Sequence, residues 1–350
     1  MSKIATSPAD QTSRGQARQA LQGPARGHVP GLVRVALNGP TMGTRWSAVV
    51  GLPEGTDSLP LVRALQAAVE EVDAQMSLWR PESALVALNR APVGEWMTIP
   101  AHLAQVLMLG LAIGRASGGA FNVAMGDAVA AWGFGPGKPD PVAIRAARAT
   151  ARVPAWEAIE LQGCRVRKCA PVQLDLNGIA KGYGVDRLAI TVRGLGVGSA
   201  LVGIDGEMRA IGARPDGQPW AVAIEAPDPE RRAVRSVLTL EDRAVATSGD
   251  YRHFVTVRGR RLSHTMDPAK GAPVEDAPAS VTVLAASCAV ADAWATALLV
   301  CGRQEGAALA ARHGLDALWL SADAGEAPVR VGPGFAAGDR RPQGRAARAD

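Results

Sequence analysis

The stretch from Ala279 to Gly302, ASVTVLAASCAVADAWATALLVCG, is long and apolar enough to pass for a membrane span. Asp292 in its middle argues against that reading, because a carboxylate at the centre of a bilayer costs roughly 2.5–3.5 kcal/mol on insertion scales. The two halves also differ in kind. Ser280 to Ala285 is β-branched and strand-like, whereas Ser287 to Val300 is alanine-rich and helix-like. A buried strand leading into a buried helix accounts for both halves better than a span does.

Outward from this segment the pattern continues as mixed helix and strand. Leu32 to Leu37 and Arg45 to Val50 read as strands around a turn at Met42-Gly43-Thr44. Val62, Leu65, Val69, Val72 and Met76 recur at three- and four-residue steps, the spacing of one helix face, with Glu70, Glu71 and Asp73 on the other. Pro100 opens a second helix through Leu103, Val106 and Leu107 that ends at Ser117-Gly118-Gly119. A loop rich in glycine and proline, Gly133 to Pro141, closes this first lobe. From Gly198 short strands alternate with turns: Ala200 to Ile204, Met208 to Ile211, Trp220 to Glu225 and Val234 to Leu240. This predicts an α+β fold with an antiparallel-rich sheet and flanking helices. The 39 glycines and 24 prolines fit a body with many sharp turns.

With 47% hydrophobic residues over 350 positions, the chain has enough apolar material for one large core or two smaller ones, which excludes a disordered or fibrous protein. The net charge of +5 is confined to the ends. Residues 1–30 carry Lys3, Arg14, Arg18 and Arg26 against Asp10, and residues 339–350 carry Arg340, Arg341, Arg345 and Arg348 against Asp339 and Asp350. The remainder sums to zero, so charge gives no reason to propose nucleic-acid binding. The expected organisation is a disordered N-terminal tail, residues 1–30, one folded domain, residues 31–336, and a disordered C-terminal tail, residues 337–350. The first thirty residues hold no apolar run fit for a signal-peptide core and no cysteine for a lipid anchor. The expected compartment is therefore the cytoplasm, or the periplasm if the true start lies elsewhere. Cys164, Cys169, Cys288 and Cys301 lack the spacing of a zinc site and are expected as free thiols in a core.

The densest site signal is DLNGIAKGY, Asp175 to Tyr183, which leads into a helix. Glycines at a helix start let backbone amides approach a phosphate, although they equally permit close helix packing. Asp292 and Thr296 are four apart and share one helix face. A carboxylate and a hydroxyl presented together are oxygen ligands of the kind Mg2+ accepts; a core Asp satisfied by a buried hydrogen bond is the competing account. His264, one of five histidines, lies in a polar loop before a Pro turn, where it is either a proton acceptor or a structural hydrogen-bonder. Ala246 to Arg252, ATSGDYR, is a polar turn that either grips a ligand or closes a hairpin. Trp79, Phe121, Trp132 and Phe134 supply flat rings for stacking, or simply for a core.

These blocks occur in one order: Met42-Gly43-Thr44; Leu78 to Ser83, LWRPES; Ser117 to Asn122, SGGAFN; Trp132 to Gly135; DLNGIAKGYGVDRLA from Asp175; ATSGDYR; SHTMDPAKGAPV from Ser263; and the strand and helix from Ala279. Together they resemble the ApbE family, the FAD:protein FMN transferases, from about Met42 to about Gly302. The resemblance implies a flavin site between two lobes of an ApbE-like domain. It also implies transfer of the FMN moiety of FAD onto a Thr or Ser hydroxyl of an acceptor flavoprotein, dependent on Mg2+, with AMP released. Carried over position by position, it implies metal ligands at the main-chain carbonyl of Ala180 and the side chains of Asp292 and Thr296. Flavin contacts would fall at Met42, Trp79, Ala120, Phe121, Asn122, Asn177, Tyr183 and Met266, with His264 as the base. The acceptor it implies is a flavin-bearing subunit of a membrane electron-transfer complex or a soluble reductase. Trp79 stands where Tyr is frequent, Asn122 where Asp is common, and Ile204-Asp205-Gly206-Glu207 departs from the usual IGGE. A Mg2+-dependent FAD pyrophosphatase and a non-enzymatic FAD carrier are the competing functions.

Overall fold

The computed structural model describes residues 31–228, 233–249, 254–257, 260–275, 278–323 and 325–335. Both expected tails lie outside these residues. At the centre is an eight-stranded sheet in the order Leu32–Thr41, Thr44–Pro53, Ala200–Ile204, Glu207–Ile211, Ala244–Gly249, Ser280–Ala285, Asp316–Leu320 and Val329–Val331. Every neighbouring pair runs antiparallel. The central strands read as continuous apolar runs because both faces of the sheet are covered. Val281, Val283, Ala317 and Trp319 face a helical layer, while Leu284, Leu318 and Leu320 alternate onto the opposite face. That opposite face is covered by a separate two-stranded ribbon, Trp220–Glu225 with Val234–Leu240.

The segment that opened the sequence reading forms a buried strand, Ser280–Ala285, followed by the helix Cys288–Arg312. The helix outruns the expected end at Val300 by crossing a kink at Gly302, whose φ of 73° and ψ of −169° suit glycine alone. No helix among the described residues is long and apolar enough to cross a membrane. The helix Leu59–Met76 buries Leu61 with Leu65, Val69, Val72 and Met76, leaving Val62 only half-buried. The expected turn at Ala246 is instead the strand Ala244–Gly249; Asp250 to Arg252 lie outside the described residues. Of the four cysteines, which are free, only Cys288 is a core residue; Cys164 and Cys169 are exposed and Cys301 is half-buried.

Two hairpins bring their tips to the same end of the sheet. Thr41 pairs with Thr44 and Ile204 with Glu207, each across a two-residue turn that requires positive φ at both central positions. Met42 and Asp205 accept that conformation, with φ of 45° and 50°, followed by Gly43 and Gly206. Asp is among the residues that enter the left-handed region readily, which explains how Asp205 holds a turn position that favours glycine.

Candidate functional site

The two hairpin tips, the ends of the sheet's central strands and the N-terminal helical lobe enclose a cavity of about 820 Å³, within the size range of cofactor sites. Met42 and Asp205 reach it from the turns, and Thr247, Ser248 and Gly249 from a strand end. Trp79 and Arg80 stand at its rim, where Trp79 is 64% exposed. Arg80 is held there by Glu70 and Asp73, each at 2.6 Å. Ala120, Phe121 and Asn122 line another part of the wall. This loop is set by Ser117, whose Oγ accepts the Phe121 N–H at 3.1 Å, and by Asn122, whose Oδ1 accepts from Ala124.

The floor is made by two helices in close contact. Ala180–Gly194 begins with Ala180 and Lys181 at the cavity, and Cys288–Arg312 presents Asp292 and Thr296 one turn apart. They approach closely because Gly182 has no side chain: a Cβ there would lie 2.5 Å from the Cys288 carbonyl oxygen and 2.8 Å from Asp292 Cβ. The Gly182 N–H donates to Asp292 Oδ2 at 3.0 Å. Asp292 thus has the buried hydrogen bond that the competing account required, and it faces the cavity as well. The Thr296 hydroxyl is oriented by Ser248 Oγ at 3.2 Å.

The floor is strongly charged. Lys181 Nζ lies 3.0 Å from Glu207 Oε1 and 3.5 Å from Asp205 Oδ2. Burial pulls the Lys181 ammonium down, but Glu207, Asp292 and Asp205 together outweigh it and hold it above its usual value. Burial pushes the carboxyls up: Glu207 to about 7 and Asp292 to about 6, both against the pull of Lys181, and Asp175 to about 6 against the Asn177 amide. Glu207 Oε2 is buried with no hydrogen-bond partner. An acidic floor left short of counter-charge fits a cation. Among the described residues, no three His, Cys, Asp or Glu side chains converge as a ready-made metal cage. One carboxylate, one hydroxyl and a backbone carbonyl are the sparse oxygen set with which proteins hold Mg2+, leaving its other positions to water and substrate phosphate.

His264 lines the cavity with Thr265 and Met266, and Phe134 meets the imidazole edge-on at 6.5 Å between ring centres. Of the residues expected at the site, Met42, Trp79, Ala120, Phe121, Asn122, Asn177, Ala180, His264, Met266, Asp292 and Thr296 all line this one cavity. Tyr183 does not. The first turn of its helix carries it toward the helix Ala101–Ala116, where its hydroxyl donates to Gln105 and lies 2.7 Å from His102 Nδ1. Trp132 also turns away, its Nε1–H donating to Gly271 O within a small apolar cluster. The sequence reading gave Asp73, Asp205 and Glu207 no site role and named Ser248 only within the ATSGDYR segment. Asp205 and Glu207 carried a signal as acidic residues flanking a glycine at a predicted hairpin turn, whereas Asp73 read as part of a polar helix face.

Fold and site together define an α+β ligand-binding protein whose cavity joins flat apolar walls to an oxygen-rich, acidic floor. The chain belongs to the ApbE family, whose sequence profile matches residues 42–319. A FAD:protein FMN transferase of Vibrio cholerae is 36% identical over 294 residues, covering 82% of this chain and 87% of that protein. One of Escherichia coli K12 is 30% identical over 329 residues, covering 89% and 90%. Among solved structures, the flavin transferase ApbE from Vibrio cholerae superposes with a TM-score of 0.77 at 34% identity, over 87% of this chain and 99% of that one. The apo flavinyl transferase ApbE of Pseudomonas stutzeri gives 0.75 at 36% identity, over 87% and 96%.

Proposed function

We propose that this protein is a Mg2+-dependent FAD:protein FMN transferase that moves the FMN moiety of FAD onto a Thr or Ser hydroxyl of an acceptor flavoprotein and releases AMP. The observation that carries the reading is the single cavity in which Asp292, Thr296 and Ala180 meet His264 and the rings of Trp79 and Phe121. The flat walls suit an isoalloxazine, with Trp79 closing over it from the rim and Met42, Ala120, Asn122, Asn177 and Met266 completing the contact. Asp292, Thr296 and the Ala180 carbonyl are the residues to hold Mg2+, which supplies charge neutralisation at the pyrophosphate.

Phosphoryl transfer asks the protein chiefly for positioning and electrostatics. The acceptor oxygen attacks the phosphorus on the FMN side, the bond to the AMP phosphate breaks, and His264 takes the acceptor's proton. The edge contact with Phe134 restrains the imidazole for that task. The acceptor is a flavoprotein presenting a Thr or Ser in an accessible segment, such as a subunit of a membrane electron-transfer complex, and contact with it is transient.

Incubating the protein with FAD, Mg2+ and a Thr-containing acceptor tests the assignment. Flavin fluorescence that stays with the acceptor through denaturing electrophoresis, matched by AMP, is the expected result. Free FMN with AMP marks a pyrophosphatase, and unchanged FAD marks a carrier; either overturns the proposal.

A further inference from the structure

Asp186 lies outside the cavity, six residues into the Ala180–Gly194 helix, and is only 6% exposed. Its carboxylate is fully engaged with the start of the other floor helix. Oδ1 accepts the Cys288 N–H at 2.9 Å, while Oδ2 accepts the Ala289 N–H at 2.9 Å and the Ser287 hydroxyl at 2.8 Å. Arg209, from the strand Glu207–Ile211, completes the set with a charged hydrogen bond to Oδ1. Four donors saturate a carboxylate, and two of them are the free N–H groups that a helix start leaves without partners. Ser287 also accepts the Val290 N–H on the same turn. The Cys288 helix therefore has its own N-cap and, in addition, an anion borrowed from the neighbouring helix at its positive end.

One turn earlier on the Ala180 helix is Gly182, whose N–H holds Asp292 and whose missing side chain sets the closest approach of the two helices. The helices are thus fixed to each other at two points. The Gly182 contact sets their separation, and the Asp186 contact sets how far one can slide or rotate past the other. The proposed metal ligands are divided between them, Ala180 on one helix and Asp292 with Thr296 on the other.

We propose that Asp186 is a positioning residue that holds the Ala180 carbonyl in register with Asp292 and Thr296, so that affinity for the divalent cation depends on a carboxylate that never touches it. The inference rests on the reading of those three residues as the Mg2+ seat. Removing a partner that orients metal ligands typically weakens binding by roughly 10–100-fold.

The test uses the full chain and measures the Mg2+ concentration at which FAD-dependent thermal stabilisation is half complete, alongside the melting temperature without ligands. Asp186→Asn is expected to raise that Mg2+ midpoint by about 10–100-fold. The double variant Asp186→Asn with Ser287→Asp keeps a capping side chain and returns a negative charge to the start of the Cys288 helix without restoring its tie to the Ala180 helix. It is expected to regain thermal stability while the Mg2+ midpoint stays high. Asp186→Glu keeps the charge and so favours folding, yet sets the acceptors one methylene further out, and it too is expected to shift the midpoint.

A wild-type midpoint in Asp186→Asn overturns the inference, as does recovery of midpoint and stability together in the double variant. If Asp186→Asn does not fold, a wild-type midpoint in Asp186→Glu overturns it equally. A wild-type protein whose FAD-dependent stabilisation ignores Mg2+ overturns the metal seat itself and this inference with it, whereas a wild-type response with unaltered variants removes the role of Asp186 alone.

Discussion

Gly182→Ala tests the contact between the two floor helices with the smallest available perturbation. The added Cβ would stand 2.5 Å from the Cys288 carbonyl oxygen and 2.8 Å from Asp292 Cβ. Restoring ordinary contact at about 3.5 Å requires the helices to part by about 1 Å, because both obstacles are backbone or attached directly to it and cannot rotate away. Overpacking of this kind costs about 3 kcal/mol at the upper end of its usual range. Exchanging Gly for Ala within a helix returns about 1 kcal/mol, leaving a net loss of about 2 kcal/mol, or about 3 °C in melting temperature for a domain of about 300 residues. Transfer should fall further than stability, since a misplacement of about 1 Å at reacting groups can cost about 100-fold. Thermal melts together with transfer rates measured at 25 °C, well below the melt, give both quantities. A Gly182→Ala protein with wild-type melting temperature and rate would refute the argument that close helix approach builds the floor.

His264→Ala should retain FAD binding by fluorescence titration while transfer slows by roughly 10²–10⁴-fold; an equal loss of binding would place His264 in the flavin contact instead. Asp292 and Glu207 bind their protons more tightly folded than unfolded, with values of about 6 and about 7. Their stabilising contribution is therefore complete below the ordinary carboxylate range and is lost as pH rises through those values. The metal-free protein should melt progressively lower from about pH 5 to about pH 8, and the gain from Mg2+ with FAD should grow over the same window; a flat or rising metal-free profile counts against a charge-starved floor. Deleting residues 1–28 and 339–350, where all the net charge resides, should leave FAD affinity and melting temperature nearly unchanged, and a large fall in either would show that an end docks on the domain.

The strand and helix after Ala279 were legible because two different local patterns met at Ser287, and the hairpin strands Ala200–Ile204 and Glu207–Ile211 because they are short apolar runs between turns; the central strand Ala244–Gly249 was not, because its polar end, Thr247-Ser248-Gly249, reads locally as a turn. The floor was legible only in part. Asp292 and Thr296 declare themselves by helical spacing within an apolar helix, whereas Asp186 sits 101 positions from Ser287 in sequence and 2.8 Å from it in space. Nothing local marks a helix-face Asp as another helix's cap. Tyr183 shows the opposite failure. It belongs to the glycine-rich block by adjacency, but helical rotation carries it to His102 and Gln105. Likewise Gly302 extends the last long helix through a backbone conformation that composition cannot announce.

The claim on which the account turns is that the Ala180 and Cys288 helices jointly seat a divalent cation at the floor of the FAD cavity. Crystals grown with FAD and Mn2+ in place of Mg2+ permit a direct reading from anomalous difference density. The account predicts one strong peak bounded by the Ala180 carbonyl, an Asp292 carboxylate oxygen and Thr296 Oγ1, at about 2.0–2.2 Å from each, near the distances Mg2+ demands of oxygen ligands. A peak seated elsewhere, or FAD bound in the cavity with no peak at those three oxygens, would contradict it.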